Sequence, residues 1–108
     1  MKISNLIRES HETAIEKGWW DDERSLGDQF SNFHCEISEA WEEYRSGSGV
    51  AEIYFEGAKP CGLPIELADV LIRIFDTCGK YNIPLEDALR IKLGYNKTRE
   101  YRHGGKLA

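Results

Sequence analysis

The chain has 108 residues, of which 41% are hydrophobic and 31% charged, the composition of one soluble domain rather than a disordered chain. A net charge of −5 argues against a nucleic-acid surface, which shows a basic face, but leaves room for an anionic ligand held through a cation. Cys35, Cys61 and Cys78 are odd in number and form no CxxC pair, which speaks against zinc and against a disulfide framework. No apolar run reaches membrane-spanning length and no signal peptide is evident, so the expected location is cytoplasmic.

Residues 3 to 17 read as a first helix, with Ile3, Leu6, Ile7, Ala14 and Ile15 as its apolar stripe and Gly18 as its stop. His11 shares the face of Ile7 and Ile15 and, taken alone, reads as a core or surface histidine. Trp19 and Trp20 follow. Adjacent side chains do not share a helix face, so either one packs while the other caps, or one offers a flat surface to a ring.

Residues 25 to 45 form the second helix, with Ser25 as N-cap and Asp28 completing a capping box. Phe30, Phe33, Ile37, Ala40, Trp41 and Tyr44 make a wide apolar face. Glu36, Glu39, Glu42 and Glu43 lie off it, with no Lys or Arg between Glu36 and Glu43. A loop from Ser46 to Gly62 holds a short extended or helical piece at 51–57, and a loop of that length suits a lid or a partner contact.

The third helix, from about Pro64 to Lys80, is apolar over most of its surface through Leu63, Ile65, Leu67, Val70, Leu71, Ile72, Ile74 and Phe75. Glu66, Asp69, Arg73 and Asp76 fall at i, i+3, i+7 and i+10 and make one charged stripe. Buried charge must be satisfied by water, by a basic partner or by a divalent cation. Within the stripe, Asp76 can pair with Arg73 one turn earlier. A turn at 81–84 leads to a fourth helix over 84–101, where Lys92, Asn96 and Arg99 form a single polar face. The basic tail from Arg99 to Lys106 is either disordered or folded over an anion.

The chain therefore offers two helical acidic pairs, Glu36-x-x-Glu39 and Glu66-x-x-Asp69, and one basic face. An all-α bundle with helices two and three antiparallel brings the pairs together. Four crowded carboxylates stay ionised only around a divalent cation, and all-oxygen ligands select Mg²⁺ or Mn²⁺. That suits attack of water on a phosphoanhydride, with Lys and Arg holding the remaining phosphate charge. A di-iron centre would need Glu-x-x-His on two helices, and only Glu100-x-x-His103 fits.

These acids resemble the signature of the MazG-like, all-α nucleoside triphosphate pyrophosphohydrolases. The segment around His11, the Lys17-Gly18-Trp19-Trp20 turn, Pro64 to Val70, Lys92-x-x-x-Asn96-Lys97-x-Arg99 and the Arg102-His103-Gly104-Gly105-Lys106 tail are also similar to family segments, in family order. The resemblance covers nearly the whole chain as a single domain, 1–108. It implies a four-helix protomer that assembles as a dimer or tetramer, with sites at the subunit interface. It also implies Mg²⁺-dependent cleavage of (d)NTP to (d)NMP and pyrophosphate, a nucleotide-pool housecleaning activity. On this resemblance Glu36, Glu39, Glu66 and Asp69 are the catalytic metal ligands. Lys92, Asn96 and Arg99 contact phosphate or sugar, and His11 and Trp20 line the base pocket. Two rivals stand beside it: a phosphoribosyl-ATP pyrophosphohydrolase-like enzyme, and a non-catalytic helical dimer that binds a nucleotide or a partner protein.

Overall fold

The structure, a computed structural model, describes residues 1–102; His103, Gly104, Gly105 and Lys106 of the basic tail lie outside the described residues. Its element order is α1 (Ile3–Glu16), α2 (Leu26–Arg45), β1 (Tyr54–Glu56), β2 (Lys59–Cys61), α3 (Leu63–Tyr81) and α4 (Leu85–Thr98). The mostly helical reading holds, with four helices among the described residues where four were expected. Two details differ. The loop before α3 contains an antiparallel hairpin, pairing Tyr54 with Cys61, Phe55 with Pro60 and Glu56 with Lys59. The last helix stops at Thr98, because Arg99 leaves helical backbone for an extended conformation.

Local chemistry sets the ends. Ser25 Oγ accepts from the Asp28 N–H at 3.0 Å, and Asp28 Oδ2 accepts from the Ser25 N–H at 3.2 Å, so the expected capping box is present. At the start of α3, Gly62 has φ +118°, and a Cβ there would stand 2.2 Å from the carbonyl oxygen of Glu52. Only glycine permits that approach, and it locks the hairpin to the helix that follows. Pro64 then sits in the first turn of α3, where its missing N–H costs nothing.

Helix α3 is the shared wall. It packs against α1 on one side and α2 on the other, while α4 packs against α1 and β2 against α3. The buried apolar residues among those described are few: Ala40, Cys61, Val70, Phe75 and Cys78. Across the α1–α3 seam, an added Cβ on Gly79 would lie 2.6 Å from the Cβ of His11, so glycine sets the closeness of the two helices.

Most of the wide apolar face of α2 does not point into the core of the chain. Its inward side carries buried Gln29, Glu36 and Ala40, whereas Phe30, Ile37, Trp41 and Tyr44 are about half exposed. The shape agrees with this incomplete burial. The radius of gyration is 16.6 Å, against about 13 Å for a compact domain of this length. The accessible surface is 8255 Å², against about 6,100 Å² for a compact monomer of this mass.

Candidate functional site

Helices α2 and α3 run antiparallel, and two contacts fix their register. The Arg73 Nε lies 3.4 Å from Glu36 Oε1, and Thr77 Oγ1 lies 3.3 Å from Gln29 Oε1. Turning Glu36 inward on α2 brings it onto the charged stripe of α3. One carboxylate oxygen each from Glu36, Glu39 and Glu66 then lies within 4.8 Å of the other two. Opposed oxygens around one Mg²⁺ are separated by about 4 Å, twice a bond of about 2.1 Å, so a small side-chain movement would close the three on a single ion.

The fourth acid of the double motif, Asp69, stands at the edge of this trio. Its negative field reaches both Glu36 and Glu66. Burial, followed by the charge of Glu39, pushes the Glu36 carboxyl up, and Asp69 adds to the rise while Arg73 opposes it. Burial, followed by Asp69, Glu39 and Glu43, pushes Glu66 up, with Lys59 of the hairpin opposing. The four acids of the sequence motif thus form one electrostatic group.

Asp69 also lines a cleft of about 440 Å³ between α1 and α3, together with Lys17, Trp19, Ile72, Arg73 and Asp76. The cleft is where the two tryptophans part company. Trp19 borders it and lies under two guanidinium groups, with Arg24 Cζ at 5.5 Å and Arg73 Cζ at 5.2 Å from the ring centroid. Trp20, the residue expected to line a base pocket, is not among the residues that line this cleft. Its Nε1 donates to Asp76 Oδ1 at 2.8 Å. His11 Nδ1 meets the same oxygen at 2.8 Å, and the His11 and Trp20 rings stand edge to face with centroids 5.9 Å apart. An ionised carboxylate only accepts, so His11 donates from Nδ1. Asp76 is buried, and two ring N–H groups satisfy it, not Arg73. The pairing of Asp76 with Arg73 along α3 gives way because Glu36 of the facing helix claims Arg73.

Lys92 and Asn96 lie on α4, which packs against α1, and Arg99 is the residue just past its end. Lys92 and Arg99 flank the Tyr95 ring at 5.2 and 5.4 Å, and none of the three takes part in an ion pair among the described residues. The chain thus brings Glu36, Glu39 and Glu66 together, with Asp69 beside them, while Lys92, Asn96 and Arg99 belong to a helix that packs on α1 and to its end.

Three residues that the sequence singles out without assigning them to the site belong to this neighbourhood. Arg73 is the cation set against the acids, Trp19 is the tryptophan of the cleft, and Glu43 is a further acid on the α2 stripe. Glu43 Oε1 accepts from Tyr54 and from Ser48, the latter at 3.0 Å. A signal for Glu43 existed in its seven-residue separation from Glu36, which repeats a helix face almost in register. Set against protein-family models, curated proteins and solved structures, the chain finds no match.

Proposed function

We propose that this protein is a divalent-cation-dependent nucleoside triphosphate pyrophosphohydrolase of the MazG-like, all-α kind. The observation that carries the reading is the convergence of Glu36, Glu39 and Glu66 on one spot, with Asp69 between that spot and the cleft. A solvated acidic face has no reason to turn a buried glutamate toward two other carboxylates, since charge crowding raises its energy.

The donor set suits Mg²⁺ or Mn²⁺, being all oxygen and drawn from carboxylates. Glu36, Glu39, Glu66 and Asp69 are the residues that would hold the ion. When bound, it neutralises the acids, draws phosphate oxygens to the site and makes water a better nucleophile. The remaining parts belong to the chain. Lys17 and Arg73 line the cleft and meet phosphate charge there. Trp19 offers a ring face to the nucleobase, and the cleft lies in the size range of small-molecule sites, roughly 300–1,000 Å³. Water adds to phosphorus, the α–β bridging P–O bond breaks, and pyrophosphate leaves with the electron pair.

The protomer acts as part of a homodimer or a larger assembly. The exposed Phe30, Ile37, Trp41 and Tyr44 stripe is the face that a second copy would cover. In such an assembly the basic face of Lys92, Asn96 and Arg99 reaches substrate from a neighbouring copy.

The test is pyrophosphate release with Mg²⁺ against a panel of standard and modified nucleoside triphosphates, phosphoribosyl-ATP included. Turnover is expected in the wild type. Asp69→Asn and Glu39→Gln are expected to abolish it with the helical circular dichroism unchanged. Full activity in both variants refutes the reading. Binding of nucleotide without turnover supports the non-catalytic dimer instead.

A further inference from the structure

Asp76 is a buried acid that takes no part in the carboxylate trio. Its side chain is 9% exposed, and one of its two oxygens takes both of its hydrogen bonds. Oδ1 accepts from His11 Nδ1 and from Trp20 Nε1, each at 2.8 Å. The donors come from α1 and from the turn that follows it, so the carboxylate is oriented from two directions. Oδ2 has no hydrogen-bond partner among the described residues. It is not sealed in either, because the enclosed side-chain polar atom that lacks a partner among them is Gln29 Nε2. Asp76 lines the cleft between α1 and α3, and Oδ2 is the oxygen left to face it. An acid kept only to fasten α1 to α3 gains nothing from that open oxygen, since the single carbonyl oxygen of an asparagine could take both donors.

The cleft sorts its groups along α3. Asp69 and Asp76 are seven residues apart, two helical turns and about 10 Å of rise, and Arg73 stands between them. Arg73 and Lys17, both on the cleft wall, attract phosphate, whereas Asp76 repels it. A nucleotide with its phosphates toward Asp69 and Arg73 therefore brings its base to the Asp76 end. Trp19 lines the same cleft as the flat surface for that base, and it is the chain neighbour of the Trp20 that holds Asp76. A carboxylate oxygen only accepts, so it is matched by a base that presents an N–H there. Cytosine and adenine carry an amino group where uracil and hypoxanthine carry a carbonyl oxygen, and two acceptors set face to face repel and stay unpaired.

We infer that Asp76 determines base specificity in the cleft, its Oδ2 accepting from the amino group of a cytosine or adenine base, and that His11 and Trp20 are positioning residues which act on the base through Asp76. This rests on the nucleotide reading above and names its base class, and the test reads binding rather than turnover. The α,β-imido analogues of the triphosphates, which resist cleavage at the α–β bridge, are titrated calorimetrically into the full chain with Mg²⁺. They are compared in two pairs, deoxycytidine with deoxyuridine and deoxyadenosine with deoxyinosine. The wild type is expected to bind the amino-bearing member of each pair at least tenfold tighter, the scale of one hydrogen bond to a charged group. Asp76→Asn keeps a carbonyl oxygen for His11 and Trp20 and sets an amide N–H where Oδ2 was, so the preference is expected to vanish or reverse. Trp20→Phe removes one of the two donors and is expected to shrink the preference severalfold while affinity for the carbonyl-bearing member holds, a selective change that lost packing alone does not give. A wild type that binds both members of each pair alike, or a preference that Asp76→Asn leaves intact, overturns the inference. The ribose form of each analogue is run beside the deoxy form. If Asp76→Asn alters the ribose-to-deoxyribose ratio and leaves the base ratio alone, the oxygen reads a sugar hydroxyl and the assignment to the base is overturned. Should Asp76→Asn fail to fold, the ranking by the wild type and by Trp20→Phe decides. A wild type that binds none of the analogues overturns the nucleotide reading itself.

Discussion

Arg73 Nε stands 3.4 Å from Glu36 Oε1, and it is the cation that the fold sets against its carboxylate group. The guanidinium is about two-thirds buried, with side-chain exposure of 31%, and also lies over the Trp19 ring. Arg73→Gln leaves Glu36 buried among acids with nothing opposite. The expected loss is about 2 kcal/mol at neutral pH, less than the ~3–5 of a fully buried pair because solvent reaches Arg73. The loss shrinks as pH falls through the raised Glu36 value, where the carboxyl takes up a proton instead. Denaturant melts over a series of pH values check both parts.

The raised Glu36 and Glu66 carboxyls fix the sign of a pH dependence. Both sit above their ordinary value of 4.5, so the folded chain binds more protons than the unfolded one from that value up to the raised ones. Their contribution favours folding below this window and is lost as pH rises through it. Thermal melts of the cation-free protein should therefore show a penalty at neutral pH that fades as the pH is lowered through this window. Mg²⁺ should raise the melting temperature at the higher pH and have little effect at the lower. Glu66→Gln should raise the cation-free melting temperature by a few degrees at neutral pH and remove most of the Mg²⁺ response. A cation-free wild type whose melting temperature ignores both pH and Mg²⁺ contradicts this.

The two tryptophans should separate in kinetics. Trp19 borders the cleft, so Trp19→Ala should raise KM about tenfold, the scale of one lost stacking contact, while kcat changes little. Trp20 satisfies buried Asp76. Trp20→Phe removes that donor and should lower stability by about 1–3 kcal/mol, with a smaller change in KM. Steady-state kinetics and chemical denaturation of the two variants test the split, and the opposite pattern would return Trp20 to the base pocket.

The stripe on α2 should be an interface. Ile37 is 52% exposed, in line with Phe30, Trp41 and Tyr44. Ile37→Glu adds a charge to that stripe without touching the inward side. Sedimentation is expected to show the wild type as a dimer or larger and Ile37→Glu shifted toward monomer. A wild type that sediments as a monomer at micromolar concentration removes the interface.

What could be read from the chain follows the reach of each signal. Periodicity and the Ser25–Asp28 box placed α2 almost to the residue, because both are local. The convergence of Glu36, Glu39 and Glu66 was legible because spacing of three or four residues puts acids on one face of a rod. The rotation of that rod was not legible. Apolar content alone points Phe30, Ile37 and Trp41 inward, whereas the protomer turns Gln29, Glu36 and Ala40 to α3. Periodicity reports that a face exists, not which surface it meets. The same limit explains Arg73 and Asp76, which are neighbours along one helix yet are each claimed by residues more than thirty positions away. The hairpin was legible only in part, as an extended or helical piece at 51–57 that contains β1, because three-residue strands are too short to show alternation or to name a partner.

Helix α3 lies between α1 and α2 in space but follows both along the chain. During synthesis the first sixty or so residues thus emerge before the surface on which they dock. Helices of 14 and 20 residues are marginal by themselves in water, and α1 and α2 have little contact with each other to make up for it. Folding must therefore await the end of α3 at Tyr81, and a nascent chain arrested before Gly62 remains unstructured and open to chaperones and proteases.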